Sequence, residues 1–202
     1  MKKIVMGILV VCFCLINTTA FAGQPYFSVN VGAFLPTNSD LSNPLIASGE
    51  VEYDKGIALS YALGQDLDIV RIEAEVSYKA ADIDKGSVTL TNGASGSGPI
   101  GGDIRSLSLM GNVWKDIKTN GIFTPYVGMG LGIAELDVEI EDAGESDIVF
   151  AYELGFGVGI ALQKHLSLDF SYRYFATSNP DFDGIKAEFA SNNVMVGIRM
   201  NM

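Results

Sequence analysis

Nine ionisable side chains fall on alternating positions of otherwise small or apolar segments: Asp54, Arg71, Glu73, Glu75, Lys79, Glu153, Asp169, Arg173 and Arg199. Charges of both signs on one face of an extended chain have two uses. They pair into a buried network, since an unpaired buried charge is very costly, or they line a path for ions. A second group is purely acidic: between Glu135 and Asp147 lie seven carboxylates and no basic residue. Within it Asp137, Glu139, Glu141 and Asp142 are the candidates for holding a hard cation such as calcium. Their spacing lacks the EF-hand pattern, and alternation spreads the carboxylates over opposite faces. A solvated, self-repelling loop is the preferred reading, and no metal site is assigned.

Other chemistry is sparse. The single histidine, His165, falls in a short connection and reads as a solvent-exposed turn residue. Gly128-x-Gly130-x-Gly132 and Gly155-x-Gly157-x-Gly159 repeat every second residue, with no following helix to hold a phosphate. Zinc-ligand spacing and a serine elbow are absent from the sequence. No catalytic or cofactor-binding residue is assigned, and the chain reads as a non-enzyme.

The elements that must carry these charges are strands. Apolar and small or polar residues alternate over Tyr26–Phe34, Asp54–Leu63, Val70–Ala80 and Arg105–Trp114. They do so again over Pro125–Ala134, Phe150–Leu162, Leu166–Tyr174 and Asn193–Met202. Strict period two is the strand signature, so eight strands are expected. Connections around Gln65–Asp68, Lys115–Gly121 and Gln163–His165 are short. Those around Pro36–Val51, Asp84–Gly102, Asp137–Asp147 and Ala176–Glu188 are long. Short turns at one end and long loops at the other describe an eight-stranded antiparallel up-and-down transmembrane β-barrel, an all-β fold, over residues 23–202.

Face chemistry separates this barrel from a soluble one. A lipocalin-like barrel needs an apolar interior, whereas here the large apolar residues share one face and Gly, Ser, Asn and charges share the other. That second face suits a lumen, with lipid outside and ring closure satisfying the backbone. Tyr53, Tyr78, Tyr152, Tyr172 and Tyr174 fall near the long-loop ends of strands, and Phe27, Tyr61 and Phe123 near the other. They fit two interfacial girdles. A tight turn at Asp66–Leu67 would set Asp54 opposite Lys79. Arg173 falls among Gly155 and Gly157, and Asp169 and Arg199 meet on adjacent strands. Eight strands leave room only for side chains, so a salt-bridged plug is preferred to an ion path.

Residues 1–22 read as an export segment. Lys2 and Lys3 precede the apolar run Ile4–Ile16, and Ala20-Phe21-Ala22 supplies a cleavage signature before Gly23. Cys12 and Cys14, the only cysteines, lie inside it. The whole chain has 202 residues, 23 glycines and a net charge of −11, which becomes −13 without Lys2 and Lys3. Nucleic-acid binding is disfavoured, because phosphates require a basic face. Disorder is disfavoured by 48% hydrophobic residues.

Thr124-Pro-Tyr-Val-Gly-Met-Gly-Leu-Gly, Ala151-Tyr-Glu-Leu-Gly-Phe-Gly-Val-Gly, Leu166-Ser-Leu-Asp-Phe-Ser-Tyr-Arg-Tyr174 and Asn193-Val-Met-Val-Gly197 resemble bacterial outer-membrane surface-antigen barrels. That group includes opacity proteins and OmpA-type barrels. The resemblance implies a Gram-negative outer membrane, extracellular loops, periplasmic termini and insertion by the barrel assembly machinery. That machinery commonly reads a terminal aromatic, where this chain has Met202. Outer-membrane lipid and lipopolysaccharide are the implied surroundings, with a host or surface ligand reached through the outer loops. The barrel is expected to be a monomer. A surface antigen, adhesin-like or structural role leads, a narrow porin or small-solute channel follows, and an outer-leaflet lipid-modifying enzyme is third. His165, in a turn at the inner end, is badly placed for the last.

Overall fold

Alternating faces leave each strand's backbone to be satisfied by its neighbours, and a closed ring does this without an edge. The computed structural model describes residues 23–42, 46–99, 101–140, 143–182 and 185–202. The expected export segment, and Glu141 and Asp142, lie outside them. The ring strands are β1 (Gln24–Pro36), β2 (Gly56–Asp66), β3 (Val70–Leu90), β4 (Gly102–Asp116), β5 (Phe123–Ile140), β6 (Ala143–Gln163), β7 (Leu166–Thr177) and β8 (Ala190–Asn201). Each pairs antiparallel with its chain neighbours, and β1 closes on β8 with Val29 opposite Ile198.

Within the ring the outward residues are large and apolar. Val31, Leu59, Val113, Met129, Leu154, Phe156 and Val196 are all exposed, while Asn30, Ser60, Asn112, Glu153 and Met195 beside them are buried. So continuous an apolar belt is far larger than the patches a soluble monomer tolerates. It marks the lipid-facing band.

Several strands run well past that band. β3 and β6 have 21 residues each, which at a rise near 3.3 Å spans roughly 70 Å, about twice a membrane-spanning strand. Beyond the band the pattern inverts. On β5, Ile133 is exposed, but one period further Glu135 and Asp137 take the outward positions, and Ala134 and Leu136 are buried inside. β3 does the same with Asp82 outside and Ala81 and Ile83 inside, and β4 with Arg105 outside and Ile104 inside.

Much of what reads as long loop is therefore strand. The acidic run belongs to the β5–β6 hairpin, with Asp137 opposite Ser146 and Glu139 opposite Gly144. Its period two persists, but with polarity reversed, so a search for outward apolar residues loses it. Ser39–Ser42 and Ile46–Tyr53 extend the sheet along the far part of β3, and Asp181–Phe182 and Ile185–Ala187 continue it. Ser95–Pro99 pairs on the other flank of β3. The tip between them is a three-residue hairpin loop. Leu90 N–H donates to Ala94 C=O at 2.8 Å, and Gly93 takes a φ of +88°, open to glycine.

At the other end the β2–β3 turn is wider than the tight reversal expected. Asp66 pairs with Arg71, and Leu67 N–H donates to Val70 C=O at 2.9 Å. The register moves by an even number of residues, so faces are kept while partners change. Lys79 lies opposite Ala58 rather than Asp54. Asp54 sits exposed in the Asp54–Lys55 connection, its N–H donating to Asp82 C=O at 2.9 Å. It takes no part in the lumen.

Candidate functional site

Eight strands leave a lumen only wide enough for side chains, and every charge placed there must find its counter-charge. At the short-turn end, Arg71 of β3 grips Asp116 of β4. Its Nε lies 3.0 Å from both carboxylate oxygens and its Nη2 2.9 Å from Oδ1. Arg199 of β8 pairs with Asp169 of β7 at 3.2 Å and approaches Asp116 at 4.0 Å. Tyr26 packs against both guanidinium groups, with Arg71 and Arg199 each 5.9 Å from its ring centre, and Tyr126 packs against Arg71 at 4.7 Å.

The next tier centres on Glu73. It accepts hydrogen bonds from Tyr26 Oη and Trp114 Nε1, both at 2.7 Å, and from Asn112 Nδ2 at 3.1 Å. Above it Arg173 of β7 spans the lumen to Glu75 of β3 at 2.6 Å and to Glu153 of β6 at 3.3 Å. Lys79 Nζ donates to Ser77 Oγ at 2.8 Å and lies 3.8 Å from the Phe175 ring centre.

The glycines of β5 and β6 are the sockets for these large groups. Gly155 faces Arg173 directly. A Cβ on Gly128 would meet Trp114 at 2.4 Å, and one on Gly157 would meet Tyr126 at 2.5 Å. The period-two glycines thus serve packing, not phosphate binding.

Above Lys79 the lining changes from charged to apolar. Phe34, Phe175, Phe189, Ile104, Leu136 and Met195 form one buried cluster with the small residues around them, and Tyr53 and Val138 pack against it. Phe34 and Phe175 each approach the Phe189 ring, at 6.3 and 6.4 Å between centres. This stopper occupies the long-hairpin mouth, where the strand pattern has inverted. Tyr53 belongs to it, its hydroxyl donating to Ser39 Oγ at 2.9 Å, and is not the girdle residue expected from its position. Burial holds its phenol above the ordinary range, partly offset by that hydrogen bond.

Of the nine charges singled out in the sequence, the structure brings eight together in the lumen and leaves Asp54 outside. Sequence reasoning missed Asp116, taken for part of a connection, and the inward aromatics Tyr26, Trp114 and Tyr126. The signal was present: Asn112, Trp114 and Asp116 continue one parity. In the acidic hairpin, Asp137 lies opposite Arg105, whose Nη2 is 3.4 Å from Glu139 and whose Nε is 2.7 Å from Asp103. His165 is exposed in the β6–β7 turn.

A closed ring of eight antiparallel strands, apolar outside and charged within, defines a transmembrane β-barrel. The chain belongs to the outer membrane protein beta-barrel domain family, which matches residues 8–199, and its membrane is therefore the Gram-negative outer membrane. It is similar to a 22 kDa outer membrane protein of Rhizobium leguminosarum bv. viciae, 26% identical over 131 residues, 63% of this chain and 56% of that protein. The match thus spans little more than half of that relative's length. The fold is also that of Neisserial surface protein A, with a TM-score of 0.58 at 18% identity, covering 87% of this chain and 97% of that one. OprG of Pseudomonas aeruginosa gives a TM-score of 0.58 at 15% identity, covering 89% and 96%. At such identities the likeness is one of fold.

Proposed function

We propose that this protein is a closed outer-membrane barrel whose role is to present its long-hairpin end at the cell surface, as an antigen, adhesin-like or structural element. One observation carries this reading: the lumen is filled twice over, by the ion-paired tiers around Glu73 and Arg173 and by the apolar stopper above them. A conducting pore needs a continuous wet path, and the side chains of both layers are buried from solvent, which supports a closed barrel. The long-hairpin end lies outside the cell and the termini in the periplasm, with lipopolysaccharide around the outer half of the band. The barrel assembly machinery inserts the chain, which works as a monomer. No catalysis is assigned, because His165 lies in a turn at the periplasmic end.

Planar-bilayer recording on the refolded protein tests this. The expected result is an electrically silent bilayer after verified insertion. Stable, well-resolved unitary openings would make the protein a narrow channel and overturn the closed-barrel reading.

A further inference from the structure

The buried charges of the lumen do not cancel. Among the described residues nine charged side chains are buried: Arg71, Lys79, Arg173 and Arg199 against Glu73, Glu75, Asp116, Glu153 and Asp169. Four cations face five carboxylates, so with every group in its ordinary state the lumen holds one net negative charge. Arginine stays protonated in proteins, and loss of the Lys79 proton would only widen the difference. Inside a ring wrapped in hydrocarbon an uncompensated charge is very costly. A proton on one carboxyl removes it.

The contacts identify the carboxyl. Asp116 holds Arg71 through both oxygens, and Asp169 holds Arg199 at 3.2 Å. Glu73 accepts from Tyr26, Trp114 and Asn112, and Glu75 takes Arg173 Nη1 at 2.6 Å. Glu153 is left with the same Nη1 at 3.3 Å, a nitrogen already committed to Glu75. The charged groups facing it are Arg173 of β7 and Lys79, Glu75 and Glu73 of β3. Two of these are carboxylates, and Lys79 is turned to Ser77 and the Phe175 ring. Strands β1, β2 and β5 carry no buried charge, and those of β4 and β8, Asp116 and Arg199, lie at the short-turn end with the phenols of Tyr26 and Tyr126.

A protonated carboxyl needs an acceptor, and one stands unused beside Glu153. Asn112, Gly130 and Glu153 form one row across β4, β5 and β6. The bare glycine leaves a socket between the two side chains, and Asn112 Oδ1 lies in it, where a Cβ on Gly130 would collide with that oxygen. Asn112 Nδ2 donates to Glu73, while its Oδ1 is buried without a hydrogen-bond partner. Leaving such an acceptor unpaired is costly. We propose that the lumen binds one proton at neutral pH, carried by Glu153 and directed at Asn112 Oδ1. The surplus charge and the orphaned oxygen then explain one another, since a single O–H answers both. Its loss sets a bare carboxylate beside Glu73 and Glu75. The folded lumen holds a proton that the unfolded chain has released, so stability falls as the pH rises.

Infrared spectroscopy of the full barrel in lipid vesicles tests this. At neutral pH the C=O stretch of a protonated carboxylic acid is expected, shifted down when the chain is refolded in heavy water. Carbon-13 at the side-chain carboxyl of glutamate should move the band, and the same label in aspartate should not; these arms need no variant. Glu153→Gln copies the shape and donor of the protonated side chain. It should fold, lose the band, and keep one urea midpoint as the pH rises, where the native midpoint falls. A spectrum without the band overturns the proposal, as does a band that survives Glu153→Gln or follows labelled aspartate. A missing band together with a midpoint set by sodium concentration would assign the surplus charge to a bound cation and overturn it too. The inference rests on the closed lumen, and the two fail separately. Unitary current with the band present would sink the closed-barrel reading alone, and a silent bilayer without the band would sink the proton alone.

Discussion

Arg173 and Glu75 stand on strands β7 and β3, diametrically opposite in the ring of eight, and meet across the lumen at 2.6 Å. Ninety-eight residues separate them in sequence. The bond is therefore a strut: it fixes the width of the barrel as well as neutralising charge. Arg199 of β8 and Asp116 of β4, also diametrically opposed, approach at 4.0 Å one level lower.

Breaking the strut on one side leaves buried carboxylates without their cation. Arg173→Met is expected to cost about 3–5 kcal/mol, read from urea titrations in phospholipid bilayers. Adding Glu75→Gln and Glu153→Gln to it should recover most of the loss. A single variant within about 1 kcal/mol of the native barrel, well below that range, would refute the strut.

Trp114 is the only tryptophan, so it reports on the lumen directly. Trp114→Phe removes the indole donor to Glu73 and should destabilise by about 1–3 kcal/mol, the usual cost of orphaning a buried partner. Gly128→Val should drive the indole out of its socket. Its emission is expected to shift, and its quenching by iodide to rise, while the far-ultraviolet strand signal is retained. Unchanged quenching would mean that Gly128 is not the socket.

The two closures of the lumen are expected to act independently. Phe34→Ala with Phe175→Ala empties part of the stopper but leaves Arg173, Glu75 and Glu153 in place, so bilayers should stay silent. Adding Arg173→Ala and Glu75→Ala removes one charged tier but leaves those at Glu73 and at Arg71–Asp116, so current should still be absent. Conductance from the phenylalanine pair alone would show that the charged tiers do not seal.

Depth along a strand should set the cost of a charge. Met129→Lys, within the lipid-facing band of β5, is expected to cost about 2–4 kcal/mol. Asp137→Lys, on the same face beyond the inversion, should lie within about 0.5 kcal/mol of native. Equal costs at the two positions would erase the band boundary placed between Ile133 and Glu135.

Strand number, facing and closure were legible because lipid imposes one rule on every spanning segment: apolar outward at each second residue. That rule also placed Arg173 among Gly155 and Gly157 and brought Asp169 to Arg199. It failed where lipid stops. Leu136 and Val138 are apolar at inward positions, which the rule reads as a broken strand, so the hairpins above the band were taken for loops. Asp54 was misplaced for a different reason. Its pairing depended on the width of one turn, and turn width is set by local bonds such as Leu67 to Val70, which leave no mark on the alternation. Asp116 and Trp114 were lost at the margin of β4, where a lysine and an aspartate resemble a connection.

The inversion along β3, β4 and β5 has a consequence for how the chain reaches this state. One part of the molecule is built with its greasy side outward and the other with its greasy side inward. No single medium is a good solvent for both. Water alone leaves the band exposed; hydrocarbon alone strands Glu135, Asp137 and Asp82. Only a boundary between the two satisfies the whole sequence, so the membrane surface itself is an ingredient of the fold.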